Sequence, residues 1–210
     1  MNFKIVRTNR KTLCVSISEN NEIVVRSPIS VTDERIKEFV ESKMEWIEKI
    51  VAKNNFRLSE NFDILNYEKI YLGGEKLPLI FANKNLITND AVYIKNIKKI
   101  KQVFIAEFSK DFIEYANDFA NTYKFRVSEF QIRSYKRRWG CCNKSGTITF
   151  NYLLFMLPPS VQRYVIIHEL CHTVYFNHSA DFWKLVSHFE PDYKKLRQQL
   201  KNFDFIIDLY

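Results

Sequence analysis

The chain has 210 residues, of which 46% are hydrophobic and 15% aromatic, enough apolar side chain for a sizeable core and too much for a disordered polymer. The 32 Lys+Arg against 24 Asp+Glu leave a formal charge of +8, which favours acidic partners such as nucleic acid or phosphorylated compounds, although lysines spread along the whole chain also suit a solvated surface. No stretch approaches the roughly 18 uninterrupted apolar residues of a membrane span, and Met1 to Arg10 alternates polar and apolar residues, so a cytoplasmic protein with no membrane partner is expected. Cys14, Cys141, Cys142 and Cys171 form neither a C-x-x-C pair nor a secreted disulfide framework, and reduced thiols are expected.

In chain order, Phe3 to Arg7, Leu13 to Ile17 and Ile23 to Arg26 read as short strands, with Glu19-Asn20-Asn21-Glu22 as the turn between the last two. Thr32 can cap a helix whose first turn carries Asp33 and Glu34, suited to the positive end of the helix dipole. Ile36, Phe39, Val40, Ile47, Ile50 and Val51 mark its apolar face, and residues 55 to 67 read as a loop. Ile70 to Leu72 and Leu77 to Phe81 flank Gly73-Gly74 as a hairpin, with Leu86 to Thr88 and Ala91 to Ile94 as a second. Val103, Phe104, Phe108, Phe112, Tyr115 and Phe119 then predict a long helix from about Ile97 to Tyr123. Phe125 to Ile132 and Thr147 to Tyr152 read as strands, separated by a basic loop and the turn Lys144-Ser145-Gly146. The second strand alternates Ile148 and Phe150 with Thr147, Thr149 and Asn151, and could offer a free edge to an extended peptide.

Chemistry concentrates in His168-Glu169-Leu170-Cys171-His172, followed after five residues by His178. Two histidines four apart on a helix project from one face, so both imidazoles reach one ion while Glu169 can address a water on it. Ser160 follows Pro158-Pro159 as the expected N-cap, and Val161, Tyr164, Val165, Cys171 and Val174 recur at helical spacing, which places the motif on a largely buried helix. Three of the four histidines fall within eleven consecutive residues. For the third ligand, a left-handed turn at Asn177 would swing His178 under the metal; Glu190 and Asp181 are rivals, and His188 reads as packed or exposed.

Beyond the helix motif, Arg133-x-x-Lys136-x-Arg138-Trp139-Gly140, Cys142, Gly146-x-Ile148-x-x-Asn151, Tyr164-Val165 and Asn177-His178-Ser179-x-x-Phe182-Trp183 resemble the YgjP-like family of zinc-dependent metallohydrolases. That resemblance covers about residues 130 to 200, and extends more loosely to Arg26-Ser27-Pro28, Phe39, Trp46-Ile47 and Tyr71-Leu72-Gly73. Cys141 departs from it, because the family usually has Ser there. The resemblance implies a zincin-like catalytic lobe with His168, His172 and His178 as zinc ligands and Glu169 as base, similar in signature to the SprT-type proteases that cleave proteins crosslinked to DNA.

The expected fold is therefore α+β, with an N-terminal strand, helix and hairpin region over residues 1–96 and a zincin-like region over 97–210 whose H-E-x-x-H helix lies beside a small antiparallel sheet. The leading function is a Zn2+-dependent metallopeptidase, acting on peptide or protein substrates through a zinc-bound water activated by Glu169. A second reading is a nucleotide or phosphate-ester hydrolase of pyrophosphatase type, with Arg133, Lys136, Arg137 and Arg138 binding the charge of a phosphate-bearing small molecule. A third is a module that binds nucleic acid through its basic surface and holds a structural metal. It is disfavoured because Glu169 has no purpose in a closed site.

Overall fold

The structure, a computed structural model, describes residues 2–18 and 20–210; Glu19, the first residue of the expected turn at 19–22, lies outside the described residues. The chain divides into two compact units, Met1–Asp63 and Ile64–Tyr210. No helix of the described residues is long and apolar enough to cross a membrane.

In the first unit, strands β1 (Lys4–Thr8), β2 (Cys14–Ile17) and β3 (Ile23–Pro28) form a sheet of order β1-β3-β2, with β3 parallel to β1 and antiparallel to β2. Helix α1 (Asp33–Glu41) is capped as its sequence predicts, the Thr32 hydroxyl accepting the Arg35 N–H at 3.3 Å. Instead of one helix followed by a loop there are two, because the chain turns at Ser42 and resumes as α2 (Met44–Glu60); the short α3 (Phe62–Leu65) follows across the boundary between the units. Ile23, Val25, Ile36, Val40 and Ile47 form the core between this sheet and its helices.

In the second unit, β4 (Lys69–Leu72), β5 (Glu75–Phe81), β6 (Leu86–Ile87) and β7 (Val92–Ile94) make a sheet of order β4-β5-β7-β6. The turn of the first hairpin is bound to a distant segment: the amides of Gly73 and Gly74 donate to the carbonyls of Phe155 and Met156 at 3.0 and 2.9 Å. Gly74 has φ of 91°, and a Cβ there would lie 2.5 Å from Pro158 Cγ, so only glycine lets this turn approach so closely. The hairpins of residues 69–94 thus belong with the unit that carries the histidines.

Helix α4 (Ile100–Thr122) lays Phe112 against Phe150 and Phe155, with ring centroids 5.2 and 5.4 Å apart. The next sheet comprises β8 (Glu129–Arg133), β9 (Gly140–Cys142) and β10 (Thr147–Asn151) in the order β8-β10-β9. It is mixed where an antiparallel sheet was expected: β10 runs antiparallel to β9 but parallel to β8, because β9 and its flanking loops serve as the crossover between them. β10 is consequently central and has no free edge. A 3-10 segment, Tyr152–Met156, leads into α5 (Pro159–Cys171), followed by α6 (Ala180–Phe189), α7 (Tyr193–Asn202) and α8 (Asp204–Leu209).

Candidate metal centre

Helix α5 begins two residues earlier than expected. Pro158 stands at the N-cap and Pro159 at the first helical position, where a missing N–H costs nothing, so Ser160 lies inside the helix and caps nothing. Val161, Tyr164, Val165, Ile166, Ile167, Leu170 and Cys171 are all buried, so the helix is enclosed on most of its circumference. His172 closes it with helical φ and ψ of −69° and −17°, which preserves the i, i+4 relation to His168. Val174, expected on the buried face, lies beyond the helix and is 52% exposed.

From His172 the chain makes one further turn, the Thr173 amide reaching the Leu170 carbonyl at 3.0 Å and the Tyr175 amide that of Cys171 at 3.0 Å. Asn177 is not among the residues with positive φ, so this winding, and not a left-handed residue, carries the chain toward the metal face. Ser179 then caps α6 through the Phe182 amide at 3.3 Å. Between these two anchors His178 is brought back over the helix.

The three imidazoles converge, each offering one ring nitrogen within 4.8 Å of the other two. His168 Nε2 and His178 Nε2 are 3.2 Å apart. That is close to the edge of about 3.3–3.4 Å that a tetrahedral zinc with Zn–N bonds of about 2.0–2.1 Å sets between two of its ligands. His172 Nδ1 is 2.9 Å from the Tyr175 carbonyl; as the donor of that bond it leaves Nε2 with a lone pair for a metal. Below all three lies Phe182, its ring centroid 5.0, 4.5 and 4.9 Å from those of His168, His172 and His178. Trp183 stacks on His178 at 5.5 Å. Burial and the neighbouring imidazoles hold His168 neutral, its pKa lowered to about 3, and the same causes lower that of His178. Neutral imidazoles are the form that binds a cation, so the residues present fit Zn2+.

Glu169 is 6% exposed, and burial pushes its pKa up to about 8 against the opposing charge of Arg138. Its place is set by Gly140 at the start of β9. A Cβ there would lie 2.8 Å from Glu169 Oε1 and 2.9 Å from its Cγ, so a methyl group would displace the carboxyl. Gly140→Ala is expected to keep its zinc and lose about a hundredfold in turnover, the usual cost of moving a reacting group by about 1 Å; paired elemental and kinetic measurements check this.

The pKa shifts also set a pH dependence for chelated protein. Glu169 keeps its proton up to about pH 8 when folded but loses it near 4.5 when unfolded, so its contribution to stability falls as pH rises through that window. His168 acts in the opposite sense between its unfolded value of 6.5 and about 3. His178, also lowered, adds to His168 in opposing Glu169 below pH 6.5, and the fall set by Glu169 dominates above that. Unfolding of metal-free protein is expected to cost about 1 kcal/mol less at pH 8 than at pH 6.5, a fall that Glu169→Gln removes. Denaturant titrations at the two pH values measure it.

The rival ligands lie elsewhere. Glu190 is paired with Arg163, whose other guanidinium nitrogen donates to the Phe189 carbonyl at 3.1 Å, and Asp181 is exposed in the first turn of α6. His188 is exposed beside Phe189. The basic loop is pinned by Asn151: its side-chain amide donates to the carbonyls of Tyr135 and Arg138 at 2.9 and 3.0 Å, and its backbone N–H donates to that of Trp139 at 2.7 Å. Arg133, Lys136, Arg137 and Arg138 are all exposed; the Arg138 guanidinium lies 5.4 Å from the Tyr135 ring centroid and bears electrostatically on Glu169. Cys141, at the departure from the family pattern, has Sγ 3.4 Å from the Tyr135 hydroxyl.

Sequence reasoning missed Phe182 and Trp183 as the aromatic bed of the histidines, and Gly140 as the residue that makes room for Glu169. It also missed a cavity of about 250 Å3 beside Glu169 and His168, into which α7 presents Arg197 and Lys201. The spacing Phe182-Trp183 after His178 is the only signal that could have pointed to the first pair.

No curated protein matches the chain. The crystal structure of the metallopeptidase zymogen abylysin from Pyrococcus abyssi is similar at a TM-score of 0.37 and 26% identity, over 43% of this chain and 90% of that one. A family model described as YgjP-like, metallopeptidase domain, matches residues 11–203. With that match running over most of its length, the chain belongs to the YgjP-like metallopeptidase family.

Proposed function

We propose that the protein is a zinc-dependent metallopeptidase in which His168, His172 and His178 hold one Zn2+ and Glu169 is the catalytic base. The observation that carries this reading is the convergence of three imidazoles beside one buried carboxyl. When bound by three neutral nitrogens, zinc supplies a Lewis acid with an open position, which polarises a carbonyl and lowers the pKa of water to about 7.

Glu169 takes the proton of the attacking water and delivers it to the leaving amine. Its burial favours the protonated form, which is the form needed for that second transfer. The substrate backbone pairs along β9 and not along β10, since β9 is bonded to a neighbouring strand on one side only among the described residues and begins at Gly140, against Glu169.

The phosphate-ester and nucleic-acid readings depend on the basic loop. There a single side chain, Arg138, acts on Glu169, which leaves peptide or protein as the favoured substrate class. The test is to incubate zinc-loaded protein with unstructured peptides, nucleoside triphosphates and DNA-linked protein, and to identify products by mass spectrometry. Chelator-sensitive cleavage of peptide bonds is expected; hydrolysis of triphosphates with peptides intact would replace this reading by the second.

A further inference from the structure

The cavity beside Glu169 is lined by Trp139 and Gly140 from β9 and its approach, by Val165, His168 and Glu169 from α5, and by Arg197, Leu200, Lys201 and Asp204 from the C-terminal helices. At about 250 Å3 it falls below the roughly 300–1,000 Å3 of drug-sized pockets, and suits one side chain or one chain terminus. Its inner wall is apolar through Trp139, Val165 and Leu200, while Arg197 and Lys201 at its mouth are exposed.

Arg197 and Lys201 are four residues apart on α7 and so project from one face. Neither forms an ion pair among the described residues. Of the two carboxyl groups lining the cavity, that of Asp204 accepts the Trp139 Nε1–H at 3.0 Å and that of Glu169 lies against Gly140. Like charges at this spacing disfavour a helix, a cost that an anion bound between them removes. Arg197 is also held in place, with its guanidinium 4.9 Å from the Trp183 centroid, on the ring that stacks against His178.

Resting on the metallopeptidase reading, we infer that this cavity is a specificity subsite for a substrate carboxylate next to the scissile bond, held by Arg197 and Lys201. The carboxylate belongs either to an Asp or Glu side chain or to a free C-terminus, since both present the same two oxygens to the same pair of cations.

The experiment uses the full-length, zinc-loaded Glu169→Gln protein and fluorescent octapeptides in which one Glu is walked along a neutral frame. Each is made with a free and an amidated C-terminus, with Gln and Lys counterparts. At one position, or at the free terminus, the carboxylate peptide is expected to bind about tenfold or more tightly than its neutral counterpart. A preference that persists on amidation assigns the side chain, and one lost on amidation assigns the terminus. Arg197→Gln with Lys201→Gln erases the preference while leaving the neutral peptides bound as before. Lys201→Glu alone, which leaves the Trp183 contact intact, shifts it toward the Lys peptide.

Equal binding of Glu and Gln peptides at every position and terminus overturns the inference, as does a preference that survives the double substitution. So does displacement of the peptides by a single-stranded oligonucleotide in a manner that depends on the same two cations but not on any carboxylate. Cleavage of the same peptides by wild-type protein is scored separately. Cleavage without preference removes the subsite alone, and preference without cleavage removes the peptidase reading alone.

Discussion

Glu169→Gln is expected to lower turnover by at least about a hundredfold on any peptide that the zinc-loaded protein cleaves, with zinc content unchanged. The substitution preserves the shape of a side chain that is 6% exposed and is packed against Gly140, so the histidines keep their places. What it removes is the acceptor for the proton of the attacking water and the donor for the leaving amine. Elemental analysis and steady-state kinetics on one preparation separate these effects. Retained turnover would assign water activation to another group.

His178→Ala should strip most of the zinc at ordinary metal concentrations and abolish activity with it. Loss of a direct ligand is expected to exceed the ten- to hundredfold fall in affinity that follows loss of a supporting hydrogen bond. The imidazole stands with Nε2 3.2 Å from that of His168, and no carboxylate joins the cluster among the described residues. Glu190 is occupied by Arg163, so undiminished zinc in the variant would direct attention to Asp181. Metal titration by competition with a chelating dye measures the change.

The parts of the site that could be read from sequence are those set by local periodicity. The i, i+4 histidines and the Thr32 cap depend on residues within a turn of one another, and the structure shows both arrangements. By contrast β9 is three residues of Gly-Cys-Cys with no alternation to betray it, and its existence depends on pairing with β10. Reading β10 as an edge strand failed for the same reason, since strand order is a non-local property. The segment 55–67 was read as a loop, yet the helix continues to Glu60, carried through Asn54-Asn55 by the helix formers around them. Arg197 and Lys201 carry no signal in a run of lysines and glutamines until α7 brings them to the flank of Glu169.

The short return over residues 173–178 gives the proposed ligand set a small topological demand. All three imidazoles come from eleven consecutive residues, and the return of His178 is anchored by hydrogen bonds to Leu170 and Cys171 on one side and by the Ser179 cap on the other. Gathering a ligand across ten residues costs about 2 kcal/mol less loop-closure entropy than gathering one across a hundred. At the proposed site, metal capture would therefore not wait for the long-range pairings of the sheet or for the docking of the hairpin on residues 155 and 156. An ion held by the proposed ligands would act early, as a nucleus that fixes the end of α5 and the start of α6 while the rest of the unit is still assembling.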